Sequence, residues 1–72
     1  LINIEKPWYL NQIIKTDVVL DLGCNNGQHT LKLAKKCHRV VGVDYDQEQL
    51  DIALASSQDK KITNIKFICQ DF

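Results

Sequence analysis

Three acids, one glycine-rich turn and two aromatic residues carry the chemistry this chain offers. Asp21, Asp44 and Asp71 each follow an apolar run, and the first run opens into the turn Gly23-Cys24-Asn25-Asn26-Gly27. Carboxylates accept hydrogen bonds and attract positive charge, so a site built on them suits a ligand rich in amines or hydroxyls, or one with a cationic or zwitterionic end. No lysine or arginine lies in the stretch Val18 to Gly27, so a pyrophosphate would meet acceptors where it needs donors. Gly23 and Gly27 permit positive φ and let a ligand approach the main chain without a Cβ in the way. Asp44 lies 21 positions after Gly23 (44 − 23), close to the offset at which an acid on a second strand meets the two hydroxyls of a ribose. A nucleoside is implied. Asp71 would then accept from an exocyclic amine, with Tyr45 or Phe72 against a purine face.

Each of these residues also has a plainer reading. The two glycines make a tight strand-to-helix turn, Asp44 and Asp46 cap a helix, and Asp71 is a loop acid. His29 is expected to be an exposed residue at a helix start rather than a base, and Trp8 and Tyr9 to be packing residues. What favours the ligand reading is the coincidence of three acids behind three apolar runs, in order, with the glycine turn first.

The elements that must hold these residues follow from periodicity. Pro7 to about Lys15 reads as a short amphipathic helix, with Leu10, Ile13 and Ile14 at helical spacing. Val18 to Leu22 is a strand expected to be buried on both faces. Gln28 to Cys37 is a helix whose buried stripe is Leu31, Leu33, Ala34 and Cys37. Arg39 to Val43 is a second strand. Asp46 with Gln49 suggests a capping box, followed by a helix to about Ser57 with Leu50, Ala53 and Leu54 inward. Residues 58–64 form a polar connection and Ile65 to Cys69 a third strand. The resulting βαβαβ order defines an α/β, doubly wound, Rossmann-like parallel sheet, of which this is the first half. Residues 1–15 form a helical lead-in and 16–72 the ligand-binding unit, whose site belongs at the carboxyl ends of the strands.

Composition narrows the partners. Nine basic and nine acidic residues give zero formal charge, and no basic run would track a nucleic-acid backbone or a membrane surface. No segment approaches the roughly 20 apolar residues of a membrane span, and nothing resembles a signal peptide. Cys24, Cys37 and Cys69 lack CxxC spacing, which disfavours a disulfide framework or a zinc site and suits reducing, cytoplasmic surroundings. The chain begins at Leu1 rather than Met and ends at Phe72 just after an apolar run, the pattern expected of a fragment. Three strands would leave an open sheet edge, through which the isolated segment is expected to self-associate.

Taken together, VVLDLGCNNG, VVGVDYD and NIKFICQDF resemble motif I, the following acidic motif and the third-strand motif of class I S-adenosylmethionine-dependent methyltransferases. The resemblance covers about Thr16 to Phe72. The family pattern acid-x-Gly-x-Gly-x-Gly becomes Asp21, Gly23, Asn25 and Gly27 here, with asparagine replacing the middle glycine. Asparagine tolerates left-handed backbone better than most residues. The resemblance implies that Asp21, Gly23, Cys24, Asn25 and Gly27 surround the methionine part of the cofactor, and that Asp44 holds the ribose hydroxyls. It further implies that Asp71 accepts from the adenine amine, Tyr45 packs on the ring and Phe72 offers a backbone N–H. The methyl acceptor is unidentified, a small molecule being the default expectation, and no catalytic residue is assigned. Two alternatives stand beside it. A dinucleotide-binding oxidoreductase would need glycine at position 28, where Gln28 stands. A noncatalytic remnant would keep the half-fold and bind a nucleoside weakly.

Overall fold

A computed structural model describes residues 2–3 and 12–71. Four parallel strands form one sheet in the order β1-β2-β3-β4, namely β1 (Ile2–Asn3), β2 (Val18–Leu22), β3 (Arg39–Asp44) and β4 (Ile65–Cys69). Helix α1 (Gln28–Ala34) links β2 to β3, and α2 (Gln47–Asp59) links β3 to β4. The α/β fold class and the three main strands agree with the sequence reading. Ile2 and Asn3 were not anticipated as a strand; they pair with Val19 and Leu20, so two of the five positions on the outer edge of β2 are occupied. The expected helix from Pro7 lies partly outside the described residues, and the described part, residues 12–15, contains no α-helix.

Both helices lie on one face of the sheet. Strand order follows chain order, so two right-handed crossovers carry α1 and α2 to the same side, where the backbone of Gly27 meets Ala53 of α2. Val19 and Val40, paired across the sheet, are fully buried beneath Leu33, Ala34 and Cys37, with Ile13 closing the cluster and Ile62 and Ile65 against it. Burying a side chain of this size contributes about 1.5–3 kcal/mol. On the opposite face Leu20, Leu22 and Val41 are only half-buried, and Val18 is exposed. The expectation that β2 is buried on both faces is therefore corrected: among the described residues, no helix covers that second face.

One helix boundary shifts, and the cap of the second helix uses another partner. α1 stops at Ala34 rather than Cys37 because the amide of Asn64 reaches back from the start of β4. Its Nδ2 donates to the carbonyls of Ala34 (2.8 Å), Cys37 (3.3 Å) and His38 (3.3 Å), replacing the partners that a longer helix would supply. Asp46 caps α2, but its side chain accepts from the N–H of Glu48 at 3.0 Å, not from Gln49. Leu54, expected in the buried stripe, is 47% exposed, and Ser57 takes the inward position, donating to the Leu54 carbonyl at 2.7 Å. Among the described residues, no helix is long and apolar enough to cross a membrane.

Asn64 therefore joins three segments through one amide. Asn64→Ala leaves these helix-end carbonyls without their donor, and is expected to lower unfolding stability by about 1–3 kcal/mol. The midpoint of denaturant unfolding would measure the loss, and an unchanged midpoint would contradict it.

Candidate functional site

The strand ends converge on Asp44. Its side chain is 3% exposed. Oδ2 accepts from the N–H of Asn25 at 2.9 Å and Oδ1 from the N–H of Asp46 at 3.0 Å, while its carbonyl accepts from the N–H of Gln70 at 2.9 Å. One residue thus touches the loops that follow β2, β3 and β4. Each carboxylate oxygen keeps a further lone pair for a ligand donor.

The turn after β2 is held over β3 by the N–H groups of Gly23 and Cys24, which both donate to the Val43 carbonyl, at 2.7 and 3.1 Å. Asn25 takes the left-handed conformation, with φ 51°, as its replacement of a glycine requires. Gly23 (φ 71°) has nothing within 4 Å of where a Cβ would stand, so its main chain is open to an approaching group. Gly27 differs. Its φ is 80°, as expected, and a Cβ there would lie 2.6 Å from Cβ of Ala53, so the bare residue also lets the α1 start pack closely on α2. Gly42 was not singled out from sequence. A Cβ on it would lie 3.0 Å from Cys24 Sγ and 3.0 Å from Phe67 Cδ1, so its bareness lets the turn settle onto the sheet.

Beside this turn opens a cavity of about 390 Å³ lined by Asp21, Leu22, Gly23, Cys24, Asn25, Asn26, Gln28 and His29. That volume falls within the range of about 300–1,000 Å³ usual for small-ligand sites. Of the expected site residues, Asp21, Gly23, Cys24 and Asn25 line this cavity; Asp44 does not, although its Oδ2 accepts from the N–H of Asn25, which does. Gly27 does not line it. Tyr45 follows Asp44 but is 74% exposed, and Asp71 is exposed beyond the end of β4. Phe72 lies outside the described residues.

Asp21 is buried, and its Oδ2 accepts from Thr30 Oγ1 at 2.7 Å. Burial raises its carboxyl above the ordinary value, against the opposing effects of the Thr30 hydroxyl and of His29. Thr30 and His29 escaped the sequence reading in different ways. Thr30 carries no motif signal, although its place one turn into α1 sets it beneath β2. His29, expected to be exposed, is half-buried, and its Nε2 is enclosed without a hydrogen-bond partner. The Cys24 thiol is pushed up to about 11, first by burial and then by the charges of Asp21 and Asp44, so it stays protonated and unreactive near neutral pH. Cys24, Cys37 and Cys69 are free thiols. Among the described residues, no group of three metal-ligating side chains occurs.

A parallel sheet with a glycine turn, a buried acid beneath it and a second acid at the end of the neighbouring strand defines a nucleoside-type site. Comparison with known proteins names the class: the methyltransferase-domain family matches residues 19–72. The 23S rRNA (uracil(1939)-C(5))-methyltransferase RlmD of Legionella pneumophila (strain Lens) is 36% identical over 64 residues, covering 89% of this chain and 14% of that protein. The human tRNA (uracil-5-)-methyltransferase homolog A is 36% identical over 58 residues, covering 81% of this chain and 9% of that protein. Among solved structures, coclaurine N-methyltransferase bound to N-methylheliamine and SAH superposes with a TM-score of 0.77 at 33% identity, covering 83% of this chain and 18% of that one. The chain belongs to the class I S-adenosylmethionine-dependent methyltransferase family. It spans about a seventh of the length of the RlmD relative.

The ionisation of Asp21 makes a pH-dependent prediction. A raised native value means that its contribution to stability is fully present below the ordinary carboxyl value of 3.8 and is lost as pH rises through the native value. Asp21→Asn keeps an acceptor for Thr30 and cannot ionise. Its stability relative to the parent protein should therefore increase as pH rises through that window and then level off. Parallel chemical denaturation series would test this, and a difference independent of pH would overturn it.

Proposed function

We propose that this chain holds S-adenosylmethionine for an enzyme that methylates an RNA base. The observation that carries cofactor binding is the buried Asp44 carboxylate, with a free lone pair on each oxygen, fixed beside an open Gly23 main chain. The residues fit the cofactor: the cavity has the volume of a small-ligand site, its wall carries no lysine or arginine, and its one acid, Asp21, suits a ligand bearing positive charge. Asp44 would receive the ribose hydroxyls, and the walls from Asp21 to Asn25 would surround the methionyl part. Tyr45 would lie along the adenine and Asp71 would accept from its amine, both being free to turn toward it from exposed positions. The N–H of Phe72 would complete the set.

The bound cofactor supplies a methyl group on a positively charged sulfur. The chain's own contribution is positional. Asp44 and the turn hold one end of the ligand, and the half-buried cavity limits water, so donor and acceptor meet in a fixed line. No residue described is assigned a proton transfer.

An RNA base as acceptor is supported by the RlmD and human tRNA relatives, whose names specify uracil in rRNA and tRNA. A small-molecule acceptor is the second reading, favoured by the likeness to coclaurine N-methyltransferase. The zero net charge of this segment offers no basic surface of its own, and in this reading other parts of the polypeptide make the RNA contact. A cytoplasmic location agrees with three free cysteines and forms part of the proposal.

Calorimetry on the full polypeptide should show binding of S-adenosylhomocysteine and none of NAD. Preference for NAD would replace this reading with the oxidoreductase one. Asp44→Asn should weaken S-adenosylhomocysteine binding by about 10- to 100-fold, the worth of one or two hydrogen bonds to a charged group. Transfer of labelled methyl groups to unmodified rRNA or tRNA, but not to a small-molecule extract, would support the RNA acceptor, and the reverse would establish the second reading.

A further inference from the structure

We infer that His29 is a specificity-determining residue for the amino-acid end of the cofactor, donating a ring N–H to its carboxylate. The inference rests on the S-adenosylmethionine reading. That cofactor carries an ammonium and a carboxylate side by side, and the two need opposite partners. The cavity wall provides for the ammonium through Asp21, whose Oδ2 is taken by Thr30 while Oδ1 has no partner among the described residues. For the carboxylate the same wall would be repulsive. Among its lining residues there is no lysine or arginine, and His29 is the one side chain able to carry a positive charge.

The state of the His29 ring supports this assignment. Its Nε2 is shut off from water and makes no hydrogen bond, although the ring belongs to the cavity wall. Buried polar atoms without partners are rare in folded proteins, and a functional role is one of the few explanations for those that persist. The residue is only half-buried and belongs to the cavity wall, so binding the carboxylate requires the ring to turn and bring an N–H to the ligand. The other polar side chains on that wall are less suited. Asn25, Asn26 and Gln28 carry only neutral amide donors, whereas the His29 ring can add positive charge to its N–H. Phe at position 29 would keep the packing of a ring and remove the donor, whereas Gln would restore an N–H on a chain of comparable reach.

The experiment measures calorimetric binding of two probes to the full polypeptide and its His29→Phe and His29→Gln variants. S-adenosylhomocysteine carries the carboxylate, and 5′-methylthioadenosine lacks the whole amino-acid end. His29→Phe should bind S-adenosylhomocysteine about tenfold more weakly, the value of one charge-assisted hydrogen bond. It should bind 5′-methylthioadenosine as the parent does, and His29→Gln should recover most of the lost affinity. If His29→Phe holds S-adenosylhomocysteine undiminished while the parent binds it, the inference fails and the methyltransferase reading stands. Equal loss of both probes would make His29 a structural residue and overturn the inference. Failure of the parent protein to bind S-adenosylhomocysteine at all would remove the cofactor reading and the inference with it.

Discussion

The Asp44 carboxylate is the interaction on which the rest of the site depends. The Gly23 and Cys24 N–H groups tie the turn after β2 to Val43, and Asp44 extends that tie to the loops after β3 and β4. One side-chain oxygen takes the N–H of Asn25 and the other that of Asp46, and the main-chain carbonyl of the same residue takes that of Gln70. Hydrogen bonds to an ionised acceptor are roughly twice as strong as neutral ones. The charge that is suited to a ribose therefore also assembles the place where the ribose would lie. Such double duty accounts for an acid that is almost wholly buried yet sits at a strand terminus rather than in the core.

The chain has three glycines, and the fold uses each differently. Gly23 leaves the main chain open over the cavity, Gly27 lets the start of α1 come against Ala53, and Gly42 gives room for Cys24 and the Phe67 ring. The last two explain how a short α1 and a longer α2 can share one face of so small a sheet. With Gly27 bare, α1 sits low, and Thr30 then reaches Asp21 under the turn. Packing between the helices thus sets the depth at which the first acid lies, and depth is what raises its carboxyl. Fold and electrostatics are linked through a missing Cβ.

Much of this was legible before any coordinates. The three main strands, both helices and the acids at the strand ends are written in β-branched runs, helical spacing and their order, because these patterns are local and repeat. Asn25 as a stand-in for glycine was likewise readable, since left-handed tolerance is a property of the residue alone. What escaped depends on contacts far apart in sequence. The end of α1 is set by Asn64, 30 positions beyond Ala34, and the burial of His29 depends on how α1 leans on the sheet. The continuous apolar run of β2 suggested cover on both faces, yet only Val19 and Asp21 face the helices, and alternation within that run was hidden because leucine occupies the other face too. Gly27 has the positive φ read from the sequence, but its close packing on Ala53 could not be seen there, because that contact joins residues 26 positions apart (53 − 27).

Charge on the cavity wall carries the argument one step beyond the fold. A nucleoside site on a parallel sheet can be built for phosphate or for a sulfonium zwitterion, and the two differ in what their turn must donate. Phosphate demands cations and convergent N–H groups. Here the N–H groups of Gly23, Cys24 and Asn25 are already committed to Val43 and Asp44, so these three donors are spent on the sheet. A turn whose donors are consumed internally, standing over a buried carboxylate, has little to offer an anion. It presents acceptors, and acceptors select a ligand whose recognised groups are hydroxyls, amines and positive charge. In this chain the preference for a sulfonium zwitterion over a phosphate thus resides as much in where those three backbone hydrogens point as in the spacing of the glycines.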